Sequence, residues 1–165
     1  MEYIMQGVLM MNIGIYYFTR TGNCKRIAEK IAARLHLHPY TIEDDVDWKG
    51  FKVYFKFQSY AKGKKELKLH YEGDPRSMDR IILVSPVWGS RMPPTVKKFL
   101  ENIPLKKVDM IASSKIDSMR GIDACHACVQ IKQFKKQEDM ILREYLDSLS
   151  DRKSTRLNSS HTNRS

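Results

Sequence analysis

Arg80 to Ser85, RIILVS, is a run of aliphatic residues with polar groups only at its ends. Six residues are too few for a core helix, and a strand with no polar face must be covered on both sides. A parallel sheet with helices on each face meets that requirement. Asn12 to Phe18, NIGIYYF, has the same character: short, apolar, β-branched and aromatic. An amphipathic helix pattern follows it. Ile27, Ile31 and Leu35 recur at every fourth position, with Ala28 and Ala32 beside them. Lys25, Arg26, Glu29, Lys30 and Arg34 take the other faces.

The alternation continues along the chain. Pro39 to Glu43 reads as a second strand, Val108 to Ala112 as a fourth and Ala127 to Ile131 as a fifth. Pro93-Pro94 suits a helix start, and Val96, Phe99, Leu100 and Ile103 form the stripe of a packed helix. Phe134 to Leu149 reads as the final helix, with Ile141, Leu142 and Tyr145 on its apolar side. Strand and helix in turn predict an α/β sandwich around a parallel sheet. Asp45 to Met78 is ambiguous in period, and a helix is expected near Trp48 to Tyr60. Only about a dozen residues separate the fourth strand from the fifth, near the minimum for a helical crossover, so that helix is expected to be short or missing.

A chain of 165 residues is normally one domain with a real core. No apolar run reaches the roughly 18 residues of a membrane span, and the start, MEYIMQGVLMM, lacks the basic segment and cleavage site of a signal peptide. Three cysteines, an odd number, fit a reducing compartment, and a cytoplasmic protein is expected. The formal charge of +10 is partly the work of the last fifteen residues, DRKSTRLNSSHTNRS. Their first eleven resemble the in-frame translation of a common short-read sequencing adapter, and the segment has no apolar period. Residues 151–165 are therefore read as a non-native tail, 12–150 as the folded domain and 1–11 as an N-terminal extension. Without the tail 25 Lys and Arg face 18 Asp and Glu, a net +7 that still points to an acidic partner surface.

The stretch between the first strand and its helix carries the chemistry. Thr19, Arg20, Thr21, Gly22, Asn23 and Cys24 lead into the helix N-terminus, where unpaired N–H groups and the dipole favour an anion. Thr19 and Thr21 add hydroxyls, Gly22 permits close backbone approach, and Asn23 can fix the turn or donate. The arrangement suits a phosphate; an ordinary capped turn is the plainer alternative. Neither the Walker A spacing nor the G-x-G-x-x-G fingerprint is present. A cysteine-phosphatase loop would need Arg six residues after Cys24, where Lys30 stands.

Strand, Thr19-Arg20-Thr21-Gly22-Asn23-Cys24 and helix together resemble the flavodoxin phosphate loop, T-x-T-G-N-T. SPVWGSRMPPTVKKFLENI, Ser85 to Ile103, resembles the same family's loop after its third strand and the Pro-led helix beyond it. The resemblance spans about Asn12 to Ser150. It implies a flavodoxin-like three-layer sandwich with a five-stranded parallel sheet of order 2-1-3-4-5, binding FMN (flavin mononucleotide) where the strand order reverses. It implies FMN contacts from residues 19–24, from Ser85, Pro86, Val87, Trp88 and Gly89, and from Ser113 and Ser114. Trp88 offers a flat apolar face for the ring. Cys24 stands where the family has Thr, so one hydroxyl contact to phosphate is expected to be lost.

Electron transfer with a redox partner protein is the expected function, with no protein acid, base, nucleophile or metal needed. Two alternatives are an FMN-dependent NAD(P)H:quinone or azo-type reductase and a relic of the fold without flavin. Cys125-His126-Ala127-Cys128 reads most simply as packed strand cysteines, with a redox pair or half a zinc site as the other readings; no second pair completes a zinc site. The lysines around Lys62-Gly63-Lys64-Lys65 read as a solvated face, and no nucleic-acid motif accompanies them.

Overall fold

The structure, a computed structural model, describes residues 3–6, 9–133 and 136–161, with side chains for 11–133 and 136–151. In chain order its elements are β1 (Tyr3–Gln6), β2 (Leu9–Tyr17), α1 (Asn23–Leu35), β3 (Pro39–Thr41), β4 (Glu43–Asp44), α2 (Val53–Ala61) and β5 (Leu69–His70). Then come β6 (Arg80–Pro86), α3 (Pro94–Leu100), β7 (Val108–Ser114), β8 (Ala127–Lys132) and α4 (Glu138–His161).

Five strands pair in parallel in the order β3-β2-β6-β7-β8, which is 2-1-3-4-5 when they are counted alone. β1 adds an antiparallel hairpin along the first residues of β2, with Tyr3 opposite Asn12. β4 and β5 make a separate antiparallel ribbon.

The double-sided apolar runs explain the layering. Ile13, Ile15, Ile82, Val84, Ile111 and Ile131 face one side, under α1 and α4. Tyr16, Ile81, Leu83, Val108 and Met110 face the other, under α3 and the segments around it. Ile15, Ile82 and Ile111 are fully buried, each stabilising by about 1.5–3 kcal/mol relative to exposure. α1 buries Cys24, Ile27, Ala28, Ile31 and Ala32, close to the stripe read from spacing. Arg26 and Lys30 on its outer face pair with Glu138, and Lys30 also reaches Asp139, which ties the start of α4 to α1.

Several boundaries differ from expectation. β2 begins at Leu9 because the apolar run extends upstream of Asn12. The expected strand Pro39 to Glu43 is divided: Ile42 turns into the core, and Glu43 leaves the sheet to pair with His70. The expected helix at Trp48 to Tyr60 starts only at Val53, after Gly50 at φ +81°. The last helix begins at Glu138; Phe134 lies outside the described residues. The backbone of α4 continues without a break from Asp151 to His161. Between β7 and β8 there is no helix, and Met119 and Ile122 cover the sheet from irregular chain. Cys125 is buried there in a bend, but Cys128 on β8 is exposed, so it is not a packed strand cysteine.

Candidate functional site

Three loops leave the carboxyl ends of β2, β6 and β7 and meet. Phe18, at the end of β2, sets its ring 5.7 Å from that of Trp88 after β6. The Val87 N–H donates to the Ser113 carbonyl at 3.2 Å, and the Arg120 N–H to the Ser90 carbonyl at 3.0 Å.

The first loop is built around Gly22, which caps α1 at φ +92°, a left-handed conformation that favours glycine. A Cβ at this position would meet open space, so the surface over the helix end is clear. The Gly22 N–H donates to Thr19 Oγ1 at 3.0 Å, and Asn23 Nδ2 donates to Thr21 Oγ1 at 3.2 Å. Both hydroxyl oxygens are used as acceptors within the loop, which leaves their protons to donate outward. α1 has no side-chain N-cap and no acidic residue in its first turn. Its positive dipole end is thus met by nothing of its own. Cys24 turns away from this surface. Its side chain sits in the core under α1, only 2% exposed, and burial pushes the thiol up to about 12. At position 24 the loop offers an N–H and not a side chain.

The second loop is a two-residue hairpin. Trp88 and Arg91 exchange backbone hydrogen bonds of 2.9 and 3.1 Å, with Gly89 at φ +57° and Ser90 at φ +61° between them. Positive φ at both central positions is the type I′ geometry, which suits Gly and costs Ser. Trp88 is half-buried and wedged between rings: Trp48 at 5.2 Å, Phe18 at 5.7 Å and Phe57 at 6.2 Å. Trp48 is itself held from below. Its Nε1 donates to both oxygens of Asp44, at 3.0 and 2.9 Å, and Thr95 Oγ1 and the Val46 N–H also bond that carboxylate.

A cleft of about 380 Å³ opens over this ring cluster, within the range of small-molecule sites of roughly 300–1,000 Å³. Arg20, Trp88, Gly89 and Arg91 line one side and α2 the other, through Val53, Tyr54, Phe57 and Gln58. No carboxylate, histidine or cysteine is among these lining residues, and both charges present are positive. The cleft therefore attracts anions and provides aromatic faces.

Of the residues singled out in the sequence, Arg20, Trp88 and Gly89 come together in the cleft, beside the loop of Thr19, Thr21, Gly22 and Asn23. Ser85, Pro86 and Val87 lie behind it: Ser85 is buried, and its hydroxyl donates to the Pro86 carbonyl at 2.9 Å. Ser113 Oγ accepts from Gln133 Nε2 at 3.1 Å, and the Ser114 hydroxyl bonds the Asp117 carbonyl. Both are engaged with their own surroundings. Sequence reading missed α2 and Trp48 as parts of the site. The available signal was aromatic density, with six rings between Trp48 and Tyr60. Among the described residues no cluster of His, Cys, Asp or Glu could hold a metal, and no helix is long and apolar enough to cross a membrane.

No protein-family model matches the sequence, and no curated protein matches it. Solved structures do. A flavoprotein from Lactobacillus acidophilus, in complex with FMN, is 18% identical, with a TM-score of 0.59 over 79% of this chain and 97% of that one. A protein described as a flavoprotein from Bacteroides eggerthii is 20% identical, with a TM-score of 0.65 over 85% of this chain and 98% of that one. A Fusobacterium nucleatum flavodoxin bound to flavin mononucleotide is 12% identical, with a TM-score of 0.51 over 87% and 99%. Identities this low speak for architecture alone, and with the strand order they place the chain in the flavodoxin-like fold.

Proposed function

We propose that this chain binds FMN non-covalently in the cleft over Trp88 and exchanges electrons with a partner protein. The observation that carries the reading is the uncapped, acid-free N-terminus of α1 standing beside a cationic, aromatic cleft. FMN has the matching parts, a phosphate and a flat conjugated ring, and two of the neighbours of like fold hold it. The N–H groups of Asn23 and Cys24 and the hydroxyls of Thr19 and Thr21 would hold the phosphate. Trp88 would stack on the ring, and Arg20 and Arg91 would balance negative charge. When bound, FMN supplies the one- and two-electron chemistry. The residues of the chain bind it, orient it and set the surrounding charge.

The lining of the cleft supports an electron carrier over a self-sufficient reductase, because it contains no carboxylate, histidine or cysteine to serve as acid or base. A basic surface after subtraction of the tail suits an acidic partner.

The test is titration of the purified chain with FMN. Saturable quenching of flavin fluorescence in the micromolar range is expected, with weaker binding of riboflavin, which has no phosphate. Absence of saturable quenching would refute FMN binding. Rapid NADPH oxidation by the loaded protein alone would refute the carrier reading and favour a reductase.

A further inference from the structure

We propose that Cys125 and Cys128 close reversibly into an intramolecular disulfide, a second redox centre at the end of the sheet opposite the cleft. The cleft lies at the carboxyl ends of β2 and β6. Cys125 lies two residues before the start of β8, and Cys128 is the second residue of that strand, paired with Met110 near the start of β7.

The local chain brings the two side chains together. The Cys125 N–H and the Cys128 thiol both donate to one acceptor, the Ile122 carbonyl, at 2.9 and 2.8 Å. A straight strand would send residues 125 and 128 apart at over 3 Å per residue. Here the bend at Cys125 folds the Cys128 side chain back onto the turn, so that Cys128 Sγ and the Cys125 N–H meet at the same carbonyl. The shared carbonyl brings the two residues near each other, the first requirement for a disulfide. The pair is also divided in access: Cys128 is exposed and Cys125 buried. Among the described residues no set of metal ligands surrounds them.

The division in access assigns the order of events with a low-molecular-weight disulfide such as oxidised glutathione. The Cys128 thiolate attacks one sulfur of that disulfide and forms a mixed disulfide, and the first half leaves as a thiol. The Cys125 thiolate then attacks Cys128 Sγ and releases the second half as a thiol. Two protein thiols are oxidised and one external disulfide is reduced to two thiols, which carry away the two protons. A dithiol reductant runs the exchange backwards.

The setting makes this a slow pair and not a catalytic one. Burial raises both thiols, Cys125 to about 11, and the nearby Asp109 and Asp123 add to the effect. Exchange should therefore quicken by about tenfold per pH unit through the neutral to mildly alkaline range, because the thiolate is the nucleophile.

The experiment treats the reduced full chain with oxidised glutathione, blocks remaining thiols with an alkylating agent after denaturation, and measures intact mass and the peptide map. No flavin is needed, so the outcome is independent of the FMN reading. A species lighter by two hydrogens is expected. It should take up one alkyl group, at Cys24, show a Cys125–Cys128 link on mapping and revert with dithiothreitol. Cys125→Ser should stop at one glutathionyl group on Cys128. A wild-type chain that stops at the glutathionyl adduct, that still accepts three alkyl groups, or that links Cys24 would overturn the proposal. Mapping of the wild type decides the matter even if a variant fails to fold.

Discussion

Replacing Asp109 by Asn should be among the most damaging conservative changes available in this protein. Asp109 is fully buried on β7. Its Oδ1 accepts from Arg80 Nη1 at 3.1 Å and faces His126 Nδ1 at 2.8 Å, while Oδ2 accepts from the Tyr145 hydroxyl at 2.6 Å. One carboxylate thus joins β6, the start of β8 and α4. Arg80 is 7% exposed, and its buried Nε finds no hydrogen-bond partner among the described residues. Asn keeps the volume of Asp but removes the charge, which leaves the guanidinium buried without an anion. Breaking such a pair from one side costs about 3–5 kcal/mol. At about 2–4 °C per kcal/mol for a chain of this size, the melting temperature should fall by roughly 6–20 °C. Urea unfolding followed by circular dichroism gives the free energy directly, with an unchanged denaturant slope expected. The double variant Arg80→Met/Asp109→Leu should recover part of the loss, since an apolar pair needs no charge balance while the Tyr145 hydroxyl gives up this acceptor. A cost below about 1 kcal/mol for Asp109→Asn, or a double variant no better than the single one, would refute the argument that charge compensation holds this junction.

Two further expectations follow from charge. Arg26 and Lys30 hold the Glu138 carboxyl below its usual range, so its contribution is present above the unfolded carboxylate pKa and lost as pH falls through the lower folded value. Glu138→Gln should cost about 0.5–1 kcal/mol at pH 7, discounted for the exposure of its partners, and nothing at pH 2–3; equal loss at both pH values in urea melts would exclude the ion pair as the cause. At the cleft, Arg91→Glu should make the second one-electron reduction of bound FMN harder by about 30–60 mV, within reach of charges about one Debye length apart. Potentiometry at low and high salt checks this, and a shift indifferent to salt would show that Arg91 does not act through its charge.

The sheet was legible because its strands are apolar on both faces. RIILVS and VDMIASS have no polar alternation to mislead, and all but the last residue of β6 is buried. The β4–β5 ribbon was not legible, since two-residue strands leave no period to detect. The site was half legible. Glycine and hydroxyl groups mark the loops around Gly22 and Gly89, because their backbone geometry restricts residue choice. Trp48 is positioned by Asp44, four residues back, whose carboxylate is in turn bonded by Thr95, far along the chain. A long-range hydrogen bond of that kind leaves no local signal. Cys24 lies three residues before Ile27 and so on the buried stripe of α1, a placement the sequence analysis did not draw. A motif match alone suggested the opposite side.

The missing helix between β7 and β8 has a consequence for motion. Residues 115–126 have no intrahelical ladder, and their backbone is pinned at separate points: Met119 with the Gln130 side chain, Arg120 with Ser90, and His126 with Leu105 and Val108. These pins are discrete, whereas β6 and β7 form a continuous ladder of six paired residues. Amide exchange should accordingly be fast along 115–124 and slow along β6 and β7, with the crossover opening locally far more often than the sheet unfolds. Because Arg120 holds the carbonyl of Ser90 in the Trp88 turn, each opening also frees one side of that turn. The lifetime of one side of the Trp88 turn is then tied to a segment joined to it through the Arg120–Ser90 backbone bond.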